Sequence, residues 1–270
     1  MNIVEAVILA IVQGLTEFLP VSSSGHLVLG REVLGVANQG DVGFEVVVHF
    51  GTLLAVLLVF WQDIRILLGS FFRGIAKPAQ LVRSYREDAQ FRLSLLMLLG
   101  MIPAGIVGLA FDDQLESLFA DTRLVSGMLI TTGILLLLTR WTHKQDKPVT
   151  PLKALLIGIA QAFAIIPGIS RSGSTISVAL YLGISRREAA RFSFIMVLPL
   201  IFGAMLLQLL KMNDTGMGAV GVEILLTGLV MSFAVGWAAL KWLMGMLERG
   251  QWHWFAYYCF AVGILGLIFT

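Results

Sequence analysis

The sequence predicts an all-α polytopic membrane protein with an inverted-topology repeat, built from six full transmembrane helices plus two re-entrant helix-loop-helix segments. Three observations predict it. Of the 270 residues, 57% are hydrophobic and 13% are charged, against roughly 25% charged in a soluble domain. Lys and Arg are concentrated in alternate connections between the apolar runs. Two apolar segments interrupted by Pro, Gly and Ser match each other at an offset of 148 residues.

The first broken segment covers about residues 1–42 and the second about 152–187. Six stretches read as full spans, at about 44–61, 92–111, 123–141, 189–211, 221–243 and 252–270. Runs such as Leu124 to Leu138 hold almost no charge over a length close to a bilayer crossing. Trp61, Trp141, Trp242, Trp252 and Trp254 fall at span ends, where an aromatic belt is expected. The N-terminal residues lack the basic n-region of a cleaved signal peptide, so residue 1 is expected in the mature fold. The single cysteine, Cys259, excludes an internal disulfide.

Charge orients the spans. Arg65, Arg73, Lys77, Arg83, Arg86 and Arg92 follow the first full span, and Arg140, Lys144, Lys147 and Lys153 surround the connection after the third. Arg186, Arg187 and Arg191 precede the fourth, and Lys241 and Arg249 follow the fifth. Asp112, Asp113, Glu116 and Asp121 instead fill the loop between the second and third spans, and the 212–223 loop is poor in positive charge. Because basic residues mark the cytoplasmic side, the order is in, out, in, in, out, in. The repeated "in" makes 152–187 a segment that dips into the membrane and returns. Extrapolated backwards, 1–42 is re-entrant from outside, and both termini lie outside.

At the 148-residue offset Gln13 falls on Gln161, Ser22 on Ser170, Ser24 on Ser172, Gly25 on Gly173 and Phe44 on Phe192, while Pro20 and Pro167 miss by one position. The chain then reads as one integral membrane domain over residues 1–270, with repeats of about 1–141 and about 152–270. One re-entrant segment plus three spans inverts the second copy. Discontinuous helices of inverted repeats meet near the bilayer midplane and build the functional site there. Irregular backbone at that depth persists only inside protein or beside a polar cavity. The plainer alternative, two packed helix hairpins shaped by Pro and Gly, does not account for the hydroxyls and ionisable groups in both segments.

The first segment contains Gln13, Glu17, Pro20, Ser22, Ser23, Ser24, Gly25 and His26. Gln13 and Glu17 share a helix face at i, i+4, Pro20 ends or kinks that helix, and the serines can cap the next one. The second contains Pro167, Gly168, Ser170, Arg171, Ser172, Gly173, Ser174 and Thr175. Arg171 is the one basic residue between Ala154 and Ser185. At membrane depth it requires an anionic partner, and its planar fork suits phosphate or carboxylate oxygens. Facing each other, the two loops offer a cation, two helix N-termini, hydroxyls, a carboxylate, an amide and an imidazole. That set suits a phosphorylated ligand, and the carboxylate beside it suggests a bridging divalent cation. His26 can serve as general acid or base. Glu17 and Arg171 could alternatively form only a structural ion pair, His26 only cap a helix, and the serines only hydrogen-bond. Glu45 and His49, four apart in the first full span, either line the site or are interfacial and structural; His143 and His253 sit near loops and need no function.

These two segments resemble the undecaprenyl-diphosphate phosphatase, or bacitracin-resistance, family of bacterial inner membranes. The likeness extends to Phe44-Glu45-Val46-Val47, Gly100-Met101-Ile102-Pro103-Ala104 and Phe192-Ser193-Phe194 before Pro199, and so covers nearly the whole chain. The resemblance implies hydrolysis of undecaprenyl diphosphate to undecaprenyl phosphate and inorganic phosphate, which recycles the lipid carrier of peptidoglycan synthesis and confers bacitracin resistance. It implies a multi-pass protein of the bacterial inner membrane, an active site facing the periplasm or exterior, and a divalent cation, Mg²⁺ or Ca²⁺. By motif position Glu17, His26 and Arg171 resemble the family's essential glutamate, histidine and phosphate-binding arginine, and Ser23, Ser170 and Thr175 match further site hydroxyls. Gln13, Ser22, Ser24, Gly168, Ser170, Ser172, Gly173 and Thr175 are the substrate-binding candidates. Gln13 stands where many relatives carry a second glutamate, so Glu17 would share the cation with substrate phosphate oxygens. The attacking group is Ser23 activated by His26, or water activated by His26 or Glu17. Expected partners are the polyprenyl diphosphate lipid, the bilayer and a second copy of the chain in a homodimer, with no nucleic acid. The rival class is a transporter or flippase of a lipid phosphate or other anion, since broken inverted repeats are common in transporters. A membrane scaffold would leave Glu17, His26 and Arg171 without a purpose.

Overall fold

Apolar runs punctuated by caps and prolines fold, in the computed structural model, into fourteen α-helices and two 3-10 turns, with no strand among the described residues. Those residues are 1–34, 42–142, 146–215 and 221–269. The end of the first broken segment, His143, Lys144, residues 216–220 of the acidic-side loop and Thr270 lie outside them.

The helices are α1 (Ile3–Thr16), α2 (Ser23–Leu34), α3 (Val42–Val59), α4 (Trp61–Ile75), α5 (Leu81–Glu87), α6 (Ala89–Ala110), α7 (Asp112–Leu118) and α8 (Thr122–Leu138). The second half contributes α9 (Pro151–Phe163), α10 (Arg171–Tyr181), α11 (Arg186–Met196), α12 (Leu198–Thr215), α13 (Val222–Glu248) and α14 (Trp254–Phe269). Each broken segment is a pair of short helices around a loop. α1 opens on a capping box in which Asn2 Oδ1 accepts from the amides of Val4 and Glu5 at 2.9 and 3.0 Å while Glu5 returns a bond to the Asn2 amide. α9 opens on Thr150 with Pro151 at the first helical position, where no amide is needed. α10 is capped by Ser170, whose Oγ accepts from the Gly173 amide at 3.0 Å. α1 and α9 start at Ile3 and Pro151, and α2 and α10 at Ser23 and Arg171, each pair 148 residues apart.

Four helical stretches are long and apolar enough to cross a membrane: Ala89–Ala110, Thr122–Trp141, Arg186–Leu207 and Val222–Glu248. They correspond to the second, third, fourth and fifth spans read from the sequence. The fourth carries a break at Val197, before Pro199, between α11 and α12. The first span, α3, turns by 80° at Phe60 into α4 rather than ending in a loop. α4 carries Arg65 and Arg73 on its exposed side and buries Ile64, Leu67, Ser70 and Gly74, a spacing of three to four residues that makes it amphipathic. The last apolar run, α14, is 16 residues long within the described chain.

The cross-packing exchanges the halves. α1 lies against α13, α9 against α6, α3 against α13, and α8 against α14. Glycines permit the closest crossings: a Cβ on Gly14 would stand 3.0 Å from the Gly236 amide, and one on Gly158 would overlap the Gly100 carbonyl. Small residues that let backbones touch are the usual means of helix association in lipid, where no hydrophobic drive separates helix from solvent. Trp61, Trp141, Trp242 and Trp254 are exposed, as a belt requires. Trp252 departs from the expectation: it is buried, and its Nε1 donates to Ser177 Oγ at 3.2 Å, so its ring packs the foot of α14 against α10 instead of facing the interface.

Candidate active site where the two broken segments meet

Glu17 follows the last turn of α1 and its side chain is only 2% exposed. A buried carboxylate must be compensated, and here three donors converge. Gln13 Nε2 donates to Oε2 at 2.8 Å and Ser23 Oγ to the same oxygen at 2.7 Å. Arg171 Nη2 donates to Oε1 across 154 positions of sequence. His49 Nε2 stands 4.0 Å from Oε2. The i, i+4 pair, the first residue of α2 and the first residue of α10 thus share one anion. The Arg171 side chain remains 29% exposed, so part of its fork stays available. Beside the pair a small cavity is lined by Thr52 and Val56 of α3, Ser172 of α10, Val197 at the break between α11 and α12, and Ile201 of α12.

The loops are held in unusual conformations. Ser22 has φ 67° and Gly168 φ 92°. At Gly168 a side chain is excluded twice, by the positive φ and by the Val125 carbonyl, which a Cβ would overlap. Thr132 of α8 secures this loop, donating to the Gly168 carbonyl and accepting from the Ser170 amide, both at 2.9 Å. Cys259 of α14 approaches the first loop through the Pro20 carbonyl at 3.6 Å. Ser172 Oγ donates to the Phe18 carbonyl at 3.0 Å, joining the loops directly. A Cβ on Gly25 would meet Gly168 Cα at 3.2 Å, and one on Gly173 would meet Pro20 Cβ at 3.3 Å. Shifting either contact by 148 residues turns it into the other.

The structure therefore gathers Gln13, Glu17, Ser23 and Arg171 around one carboxylate, with Gly168, Ser170, Ser172 and Gly173 shaping the loop that presents the arginine. Ser22 and Ser24 hydroxyls bond each other at 3.2 Å at the head of α2. Two candidates point elsewhere. Thr175 donates to the Arg171 carbonyl within α10 at 2.8 Å and meets Ser193 Oγ at 2.5 Å, so its hydroxyl serves helix packing. His26 bonds Ser22 O and Tyr258 OH, each at 2.8 Å, and Ser23 is hydrogen-bonded to Glu17 rather than to His26. The serine–histidine pairing is not present in this state, because the Ser22 carbonyl turns the imidazole toward α14. Sequence reasoning left His49 undecided, and its Nε2 faces Glu17. Thr132 and Tyr258 carried no sequence signal, since a lone hydroxyl in an apolar run ordinarily bonds its own helix.

The family model described as Bacitracin resistance protein BacA matches residues 6–265. The chain belongs to this family. An undecaprenyl-diphosphatase of Salinibacter ruber is 43% identical over 264 residues, covering 97% of each chain. One from Christiangramia forsetii is 43% identical over 273 residues, covering 100% of this chain and 99% of its own. One from Korarchaeum cryptofilum is 40% identical over 270 residues, covering 98% of both. Family membership spans both broken segments, so the converging site lies wholly within the shared region.

Proposed function

We propose that this membrane protein hydrolyses undecaprenyl diphosphate to undecaprenyl phosphate and inorganic phosphate, and so returns the lipid carrier to cell-wall synthesis. Full-length relatives named undecaprenyl-diphosphatase support the activity. The observation that carries it to particular residues is the Glu17–Arg171 pair joining the two broken segments. An arginine side chain that stays 29% exposed at the start of α10 suits the terminal phosphates. Phosphoryl transfer asks the protein chiefly for such positioning and charge stabilisation.

In the resting arrangement Arg171 is neutralised by Glu17. A diphosphate entering the site competes for the guanidinium, and the released carboxylate then lies within hydrogen-bond reach of Ser23. Glu17 can take the proton of a water that attacks the terminal phosphorus, releasing undecaprenyl phosphate and inorganic phosphate, or the proton of Ser23, in which case the attack leaves a phosphoserine that a water then hydrolyses to free Ser23 and inorganic phosphate. Mg²⁺ or Ca²⁺ fits the donor set in a limited way. Glu17 and Gln13 Oε1, a buried oxygen with no partner, are hard ligands. Among the described residues no three His, Cys, Asp or Glu side chains cluster as a metal site, so the diphosphate would complete the shell. The cation, when bound, supplies further neutralisation of phosphate charge.

The same reading makes the fold an inverted repeat open to the cell exterior, in the bacterial inner membrane. Its support is the 148-residue spacing of the helix starts, the paired glycine contacts that interchange under that shift, and the alternation of basic connections. The test is phosphate release from undecaprenyl diphosphate by the purified protein in detergent, where transport has no meaning. Wild-type turnover that vanishes in Arg171→Ala is the expected result; undiminished release by Arg171→Ala overturns the site.

A further inference from the structure

The hydrogen bonds of His26 fix its tautomer. Nδ1 lies 2.8 Å from the Ser22 carbonyl oxygen, which can only accept, so Nδ1 carries the proton. In a neutral imidazole Nε2 is then a bare acceptor. Nε2 lies 2.8 Å from the Tyr258 hydroxyl, which therefore donates to it. The rings are nearly parallel, 8° apart with centroids at 5.5 Å. Ser22, the only non-glycine residue with positive φ among those described, directs its carbonyl to both the backbone amide and Nδ1 of His26. A serine held at φ 67° implies local strain that the surroundings must maintain. The next residue along α14, Cys259, is buried and contacts the Pro20 carbonyl. α14 is thus anchored to the same loop that carries His26. Tyr258 itself is 46% exposed, so its hydroxyl can yield its place without breaking the core. His49 offers the contrast: its Nδ1 is likewise tied to a carbonyl four residues back, at 2.8 Å from Glu45 O, but its Nε2 faces Glu17 and no phenol.

We propose that Tyr258 is a positioning residue of the reaction, whose hydroxyl donates to His26 Nε2 and fixes the orientation of the ring until a substrate oxygen or water replaces it. The inference goes beyond the proton transfer given to Glu17 and rests on His26 acting as a second acid–base group. The Ser22 carbonyl sets which nitrogen is basic, and Tyr258 sets where that nitrogen points while the site is empty. A side chain acting through the base in this way changes turnover more than substrate affinity.

Tyr258→Phe keeps the stacked ring and removes only the donor. With undecaprenyl diphosphate in detergent, Tyr258→Phe is expected to lower kcat about tenfold, a fraction of what a positioned acid–base group supplies, with KM within about twofold of wild type. In protein carrying ¹⁵N-labelled histidine, the His26 Nε2 resonance, assigned by its disappearance in His26→Ala, is expected to move downfield in Tyr258→Phe as the donor is lost. Unchanged kcat, a loss carried by KM alone, or an unmoved His26 resonance each overturns the role of Tyr258. Full activity in His26→Ala instead removes the acid–base reading beneath it, so the two failures are told apart.

Discussion

Arg171 and Glu17 neutralise each other in a site that must also accept a diphosphate, so the pair is a placeholder for substrate as well as a structural link. Arg171→Lys keeps the charge but loses the planar fork. It is expected to cut kcat/KM by about a hundredfold, the scale of losing one preorganised donor, in the phosphate-release assay. Thr132→Val tests the loop apart from the chemistry. It leaves the Gly168 carbonyl and the Ser170 amide buried without partners, a cost of about 2 kcal/mol. A lower midpoint of thermal unfolding in detergent, together with reduced turnover, is the expected outcome; a wild-type midpoint would contradict the clamp. Glu17 and Arg171 were readable from sequence because an ionisable side chain isolated in an apolar run demands a partner. Thr132, His49 and Tyr258 were not, because each acts on groups brought near only by tertiary packing, in Tyr258's case 232 positions away.

Among the elements, the pairing of short helices in the broken segments was legible from Pro20, the serines that follow it and the hydroxyl-rich run after Pro167, while the caps at Asn2, Thr150 and Ser170 emerged only in the structure. The 80° turn between α3 and α4 was not legible, since no Pro or Gly marks Phe60. The arginines of α4 also resemble a loop unless the buried spacing of Ile64, Leu67 and Ser70 is weighed. α4 is tied to α6 through Asp88, which caps α6 by accepting from the amides of Gln90 and Phe91 at 2.9 and 3.1 Å and also accepts from Ser70. The Ser70 bond, opposed by partial burial and aided by the two amides and Arg73, holds the Asp88 carboxyl below its ordinary value. A depressed carboxyl stabilises the fold fully above the unfolded value, and that contribution drains away as pH falls through the folded one. Asp88→Asn, which keeps a capping oxygen but removes the charge, is therefore expected to lower the unfolding midpoint at pH 7 and to lose part of the decline that wild type shows below about pH 4. Parallel wild-type and variant curves across that window would rule out the linkage.

At the scale of the whole molecule, the apolar composition and the charge alternation anticipated an all-helical membrane protein. The single native thiol, Cys259, is buried, and burial pulls thiols away from reactivity, so the wild-type chain should label slowly with maleimides. In a Cys259→Ala background, Ala120→Cys is expected to react with an impermeant maleimide added to intact cells, and Lys77→Cys only after the membrane is opened. The reverse pattern would invert the proposed topology.

Two points at which the loops touch, Gly25 on Gly168 and Gly173 on Pro20, are so close that one added carbon would make the neighbouring atoms give way. They act as a pair of mechanical stops that gauge how far apart the halves may stand. A graded series at position 25, from Gly through Ala and Ser to Val, is thus a set of shims: each should spread the gap between Glu17 and Arg171 a little further, and turnover should fall in step with side-chain volume rather than with polarity.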